Sequence, residues 1–118
     1  MNPLFFWTAA LGWLAVLAFL GAILARLLKI AIPPHYLLGA AAILLGSLHG
    51  MMPMAAGLMG RGNMTGFSLA SLALLLLFVQ GGLGLQLMKA LPVRRAHLAT
   101  AAAIGLLIAG HVALNRVG

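Results

Sequence analysis

The chain has 118 residues, of which 64% are hydrophobic and 6% charged, and its mean hydropathy is +1.18. These values lie far outside the range of soluble globular domains, so the composition predicts a membrane protein. The chain contains no cysteine, which excludes disulfides and any metal or cofactor site that depends on thiolate ligands.

Four apolar stretches, each about 20 residues long, are long enough to cross a bilayer as helices. We predict these helices at residues 2–25, 35–58, 67–88 and 96–115. The connections between them are short and leave almost no sequence for a soluble domain. The predicted fold class is therefore an all-α membrane protein, with residues 1–118 forming a single domain built as a bundle of four transmembrane helices.

Prolines lie close to these predicted boundaries. Pro33 and Pro34 immediately precede predicted helix 2, and Pro92 lies just before predicted helix 4. Pro53 lies near the end of predicted helix 2, where a proline removes a backbone donor and predicts a kink or an early end.

The positions of the cations predict a topology. Of the seven Lys and Arg residues, most follow predicted helix 1 or lie between predicted helices 3 and 4: Arg26, Lys29, Lys89, Arg94 and Arg95. Because such residues favour cytoplasmic loops, we expect both termini to lie outside. We expect the protein in a bacterial inner membrane, in contact with lipid and with no nucleic acid partner.

The four histidines form two pairs with the same spacing, His35 with His49 and His97 with His111. Fourteen residues of helix return to within about 40° of the starting direction and rise about 21 Å, so each pair lies on one helix face at two depths. The predicted topology places His35 and His97 near the inner surface and His49 and His111 near the outer surface.

This arrangement predicts two sites for haem b, stacked between predicted helices 2 and 4. We call His35 and His97 the inner pair and His49 and His111 the outer pair, and we expect each pair to bind one haem iron. Two imidazole ligands suit a haem to electron transfer. The alternative for a single histidine is an interfacial position or an interhelical hydrogen bond.

Small residues near the histidines leave room for flat rings. We assign Gly39, Gly46 and Gly105 to haem contact, although small residues also serve ordinary packing between membrane helices. A ligand imidazole usually donates its other N–H to an oxygen atom. Ser47, Thr100 and backbone carbonyl groups are the alternatives for that acceptor.

Arginines lie at both predicted haem depths, in a chain with no Asp or Glu. Arg94 and Arg95 are near His97, while Arg61 and Arg116 lie at the outer end. Guanidinium groups bind carboxylates in a bidentate geometry, so these four are expected to contact the haem propionates. The positive-inside bias and anionic lipid also account for part of the inner cluster.

The segments PHYLLGAAAILLGSLHG and RRAHLATAAAIGLLIAGHVALN resemble the haem-bearing second and fourth helices of cytochrome b in quinol:cytochrome c reductases. They also resemble the haem domain of ferric reductases and NADPH oxidases, and the small flavinylation-associated cytochromes, which share a histidine followed shortly by Leu-Asn. The glycines of helix 1, Gly12 and Gly21, do not reproduce the spacing of cytochrome b. The Pro-Glu-Trp-Tyr motif and the FAD and NADPH domains are absent.

The resemblance implies a transmembrane electron carrier, which we expect to be a subunit or partner of a larger redox system rather than a complete enzyme. With no carboxylate and every histidine assigned to iron, the chain is poorly equipped to take protons from a quinol. We expect a quinone-linked protein, a flavoprotein or a cytochrome as redox partner. Tyr36, Gln80 and Gln86 are candidates for a quinone pocket.

Two other functions remain open. Thioether sulfur binds Cu(I), and five methionines cluster around the end of predicted helix 2, which would suit a copper or other metal transporter or sensor: Met51, Met52, Met54, Met59 and Met64. Methionine is also a common packing residue. The third possibility is a structural membrane subunit with no redox role.

Overall fold

The computed structural model describes residues 2–55, 57 and 63–116, excluding the side chain of residue 116. Within these ranges every regular element is a helix. The helices are α1 (Pro3–Leu27), α2 (Ile32–Ala55), α3 (Met64–Met88) and α4 (Arg94–Arg116). All four are long and apolar enough to cross a membrane, which confirms that part of the sequence prediction.

The helix boundaries differ from the predictions by a few residues. Helix α2 begins at Ile32, so Pro33 and Pro34 lie in its first turn and not before it. A proline is tolerated there because first-turn N–H groups have no partner within the helix. Pro53 lies inside α2, which ends two residues later, as expected from the donor that proline lacks.

Helices α1 and α3 are capped in the same way. Asn2 caps α1 by accepting the Leu4 N–H, and Asn63 caps α3 by accepting the N–H groups of Thr65 and Gly66. Such caps satisfy N–H groups that have no acceptor within the helix.

Both helices end with a residue in the left-handed region. Lys29 has a φ of 54° and Ala90 has a φ of 59°. The next N–H groups reach back into the last turn, from Ile30 to the Ala25 carbonyl and from Leu91 to the Gln86 carbonyl. This is the Schellman arrangement, in which glycine is usual because a Cβ strains that conformation.

The chain divides into two compact units, residues 1–58 and 59–118. We call the α1–α2 unit hairpin 1 and the α3–α4 unit hairpin 2. In each, the two helices run antiparallel and pack against one another. Helix α1 has a buried stripe of mostly small residues, Ala15, Ala18, Phe19, Ala22 and Ala25. Small residues at this spacing allow close approach between helix backbones.

Large apolar side chains remain exposed along the helices. Examples are Phe5, Trp7, Leu17, Leu37 and Leu106, the last being 75% exposed. A soluble monomer rarely exposes so much contiguous apolar surface, whereas lipid is its natural solvent.

Candidate functional site

In hairpin 1, both histidines of α2 contact backbone carbonyl groups of α1. His35 Nδ1 lies 2.8 Å from the Ala22 oxygen, and His49 Nδ1 lies 2.7 Å from the Thr8 oxygen. Thr8 and Ala22 are fourteen residues apart, like the two histidines. The antiparallel register of the hairpin therefore gives both rings an equivalent acceptor on the neighbouring helix.

Hairpin 2 repeats this arrangement at one histidine and changes it at the other. His111 Nδ1 lies 2.8 Å from the Gly66 oxygen on α3. The same register places Gln80 opposite His97. There the contact joins the side-chain nitrogen of Gln80 to Nε2 of His97, at 3.3 Å.

The carbonyl contacts determine which ring nitrogen carries the proton. A carbonyl oxygen can only accept, so Nδ1 of His35, His49 and His111 must be the donor in each hydrogen bond. In a neutral ring the lone pair then lies on Nε2. Histidines that bind metals commonly have this arrangement, with one nitrogen donating to a carbonyl and the other available for coordination chemistry.

The hydroxyl groups considered from the sequence are bonded elsewhere. Ser47 donates to the Ile43 carbonyl, and Thr100 donates to the Ala96 carbonyl, each 2.8 Å away within its own helix. Of the alternatives that the sequence left open, backbone carbonyl groups are therefore the acceptors for His35, His49 and His111.

Midway between the paired histidines, each hairpin has a buried layer. Ala42 on α2 and Ile104 on α4 lie seven residues from each histidine of their helices, and both are 0% exposed. The register pairs them with Ala15 and Ala73, which are also buried. In α2 and in α4, the face that carries the histidines is thus the face that packs on the partner helix of the same hairpin. This supports the prediction that His35 and His49 share one face of α2 and that His97 and His111 share one face of α4.

Gly12 is a site residue that the sequence analysis did not identify. A Cβ at this position would lie 2.9 Å from both Nδ1 and Cε1 of His49, closer than real Cβ contacts allow. Gly12 therefore leaves space for the His49 ring in the position where it contacts the Thr8 carbonyl group. Gly12 lies one turn after Thr8 in the sequence, but this spacing indicates a role only when the register between α1 and α2 is known.

The glycines assigned to haem contact behave differently from Gly12. A Cβ at Gly39 or Gly105 would have no described neighbour within 4 Å. Packing inside a hairpin therefore does not require a glycine at either position. Gly46 is half-buried on α2.

Asn115 lies over the His111 ring. Its side-chain nitrogen is 3.1 Å from Nδ1 and 3.3 Å from Nε2. Nearly equal distances to both ring nitrogens place the amide across the ring face, since in-plane hydrogen bonds to the two nitrogens point in different directions. Asn115 also approaches Gly66, where a Cβ would lie 3.3 Å from the amide oxygen.

The arginines are placed only in part. Arg94 and Arg95 are exposed in the first turn of α4, within three residues of His97. Arg61 and the side chain of Arg116 lie outside the described residues, although Arg116 ends α4. A cation at a helix N-terminus opposes the helix dipole, so the two α4 arginines favour an anion nearby.

The remaining candidates are dispersed. Met51, Met54 and Met64 are exposed, and the Met52 sulfur lies 3.9 Å from the Thr8 hydroxyl oxygen, while Met59 lies outside the described residues. Of the quinone candidates, Gln80 contacts His97, Tyr36 is half-buried and Gln86 is exposed. Among the described residues, no group of three or more His, Cys, Asp or Glu side chains could hold a metal ion.

Comparisons with protein-family models, with curated proteins and with solved structures find no match to this chain.

Proposed function

We propose that this chain is an integral membrane electron-transfer protein with two b-type haems. The inner pair, His35 and His97, would hold one haem iron, and the outer pair, His49 and His111, would hold the other. The two hairpins would then form one haem-binding domain, each contributing one ligand to each haem. The proposal includes a bacterial inner-membrane location with both termini outside, and the resemblance to cytochrome b.

The observation that carries the proposal is the hydrogen bonding of three histidines to carbonyl oxygens of the neighbouring helix, at 2.7 to 2.8 Å. These bonds orient the rings of His35, His49 and His111 and place the lone pair on Nε2. An interhelical hydrogen bond alone would explain one such ring. Bis-histidine ligation would also account for the second ring on α2, fourteen residues away, which the antiparallel register supplies with an equivalent acceptor.

The residues beside the histidines suit a flat macrocycle. Side chains at Gly39 and Gly105 would meet no described neighbour within 4 Å, so these positions leave open surface beside the histidine face. Ordinary close packing of small residues would instead fill that space, as occurs at Gly12. The two glycines therefore support haem contact more strongly than the sequence did.

The arginines provide the charge that haem propionates need. The chain has seven Lys and Arg residues and no Asp or Glu, so no side-chain carboxylate is available to them. Arg94 and Arg95 would bind the inner propionates, or lipid phosphates at the same surface, and Arg61 and Arg116 the outer ones. Either anion would offset the unfavourable charge at the start of α4.

A haem held by two neutral imidazoles is six-coordinate and supplies one-electron chemistry with no open position for a substrate. The protein would orient the rings, hold the propionates and exclude water. Moving one elementary charge across the whole membrane changes its free energy by about 2.3 kcal/mol per 100 mV of membrane potential. The membrane potential would therefore influence the direction of electron transfer. Lacking carboxylates, the chain would need a quinone-linked protein, a flavoprotein or a cytochrome as its partner.

The test is a pyridine haemochrome assay, with protein quantitation, on protein expressed with added haem and purified in detergent. We expect about two b-type haems per chain and a low-spin spectrum that is reversibly reduced. A value near zero would contradict the proposal. Copper in the same sample, without haem iron, would instead support the methionine-based alternative.

A further inference from the structure

The first two residues of α4, Arg94 and Arg95, lie on different faces of that helix. Each residue of an α-helix advances by about 100°, so Arg94 is about 60° from His97, on the side that packs against α3. Arg95 is nine residues from the fully buried Ile104, which places it about 180° away around the helix. Both arginines are exposed, but only Arg95 lies on the face opposite the histidines.

The face of α4 that carries Arg95 continues as an apolar surface. Leu98, Ala102, Leu106 and Ala109 follow on this face, and all four are exposed. The two leucines are large side chains, with exposed fractions of 56% and 75%. From Arg95 to Leu106 the helix rises about 16 Å, which is close to half of the roughly 30 Å hydrocarbon core of a bilayer. We call this surface the exposed face of α4.

Arg95 has no side-chain carboxylate to pair with, because the sequence contains no Asp or Glu. It also lies in the first turn of α4, where the positive end of the helix dipole favours an anion. Exposed apolar side chains lie on both sides of it along the chain, Leu91 in the preceding turn and Leu98 in α4. A phospholipid supplies an anion and hydrocarbon in one molecule, whereas an acidic soluble protein supplies only the anion.

We propose that the exposed face of α4 binds an anionic phospholipid. The Arg95 guanidinium contacts the headgroup phosphate, for which its planar set of donors is suited, and an acyl chain lies along Leu98, Ala102 and Leu106. This separates the two arginines, since Arg94 stays on the side of α4 that carries His97. The inference requires the chain to lie in a membrane, but it does not depend on haem.

The competing explanation is a diffuse attraction, in which cations at this end of α4 favour one membrane topology and collect anionic lipid without a defined site. Diffuse attraction depends on the number of cations and not on the helix face that carries them. It therefore predicts equal effects of removing Arg94 or Arg95. A site on the exposed face predicts unequal effects.

The first test is native mass spectrometry of the full-length protein in detergent, titrated with dioleoyl phosphatidylglycerol. We expect Arg95→Gln to lower the affinity for this lipid about fivefold, which corresponds to about 1 kcal/mol at 1.4 kcal/mol per tenfold. Arg94→Gln removes the same charge from the neighbouring residue and is the matched control, with an expected loss of less than about twofold. Equal losses in the two variants would overturn the proposal.

Two other ligands separate the headgroup from the acyl chain. Dioleoyl phosphatidylcholine has the same chains without net charge, and we expect it to bind more weakly and to be insensitive to Arg95→Gln. Dihexanoyl phosphatidylglycerol has the same headgroup, but its chains are too short to reach Leu106, so we expect weaker binding. Equal affinity for the long and short lipids, or displacement of the long lipid by inorganic phosphate at equal concentration, would show a site for free anions and contradict the proposal.

A second test locates the lipid. The chain has no cysteine, so Ala102→Cys introduces a single thiol for a fluorophore on the exposed face of α4. In bilayers we expect brominated phosphatidylglycerol to quench this fluorophore more than brominated phosphatidylcholine does, and Arg95→Gln to remove the difference. Leu75→Cys, at a position on α3 that is 60% exposed, is the control and should show no preference. No preference at residue 102 would overturn the lipid site, whether or not the protein binds haem.

Discussion

Hairpin 1 and hairpin 2 hold their histidines in related but unequal ways. Hairpin 1 uses two backbone carbonyl groups, from Thr8 and Ala22. Hairpin 2 uses the Gly66 carbonyl for His111 and the Gln80 side chain for His97. A helix offers a carbonyl at every residue, so a backbone acceptor depends on register alone, whereas the Gln80 contact depends on the identity of one side chain.

The outer and inner histidines also differ in their contacts. The outer histidines, His49 and His111, both donate from Nδ1 to a carbonyl. The inner histidines do not match, because His97 is engaged at Nε2. The repeated spacing of the histidines is therefore not accompanied by the same interhelical contact at every ring. The three predictions below test where the two hairpins behave alike.

The largest expected effect tests the pairing itself. If His49 and His111 hold the same haem, each single change to Ala removes that haem, and the double variant His49→Ala/His111→Ala still retains about one haem per chain. The variant His49→Ala/His97→Ala, which removes one ligand from each pair, should retain almost none. Haemochrome assays of the four proteins measure this difference. Equal haem content in the two double variants would show that the pairing is wrong.

An intermediate effect is expected where the hairpins differ beside a ring. Gly12 follows Thr8 by one turn, and Ala70 follows Gly66 by one turn, so hairpin 2 already has a Cβ where hairpin 1 has none. Gly12→Ala places a Cβ 2.9 Å from the His49 ring and should lower the free energy of unfolding by about 1–3 kcal/mol. Unfolding in mixed detergent micelles measures this change.

The matched control is Gly39→Ala in the same hairpin, where a Cβ has no described neighbour within 4 Å. We expect it to leave the stability of the apoprotein unchanged or slightly raised, since alanine favours helix more than glycine does. Equal losses at Gly12 and Gly39 would mean that the His49 contact does not require Gly12.

The smallest effect concerns a feature that the hairpins share. Lys29 and Ala90 both adopt left-handed backbone conformations at helix ends, at a cost that glycine avoids. Lys29→Gly and Ala90→Gly should each raise the free energy of unfolding by about 0.5–1 kcal/mol. Ala102→Gly, at an exposed position inside α4, should lower it by a similar amount. Losses at all three positions would indicate that the left-handed conformation is not populated.

The positions of the helices were largely predictable because hydrophobic length is a local property. The structure extends α1 to Leu27 and begins α4 at Arg94, each two residues beyond the predicted boundary. These differences arise because polar residues at a helix end can continue the backbone hydrogen bonding past the apolar run. Helices α2 and α3 each begin three residues before the predicted boundary, at Ile32 and Met64, which places Pro33 and Pro34 in the first turn of α2.

The supporting residues of the site were less predictable. Gly12 was recognised in the sequence only as a departure from the glycine spacing of cytochrome b, and Gln80 only as a candidate for a quinone pocket. Each acts through a histidine on another helix, Gly12 through His49 and Gln80 through His97. No local pattern in α1 or α3 indicates these partners.

The sequence by itself determined four apolar helices and two histidine pairs that each lie on one helix face, because hydrophobic length and the 3.6-residue period are encoded within each segment. The tertiary structure decided which atoms hold the rings. Carbonyl groups of Thr8, Ala22 and Gly66 and the amide of Gln80 reach the histidines through the antiparallel register of each hairpin. That register results from side-chain packing between helices, which depends on both partners together and not on either segment alone.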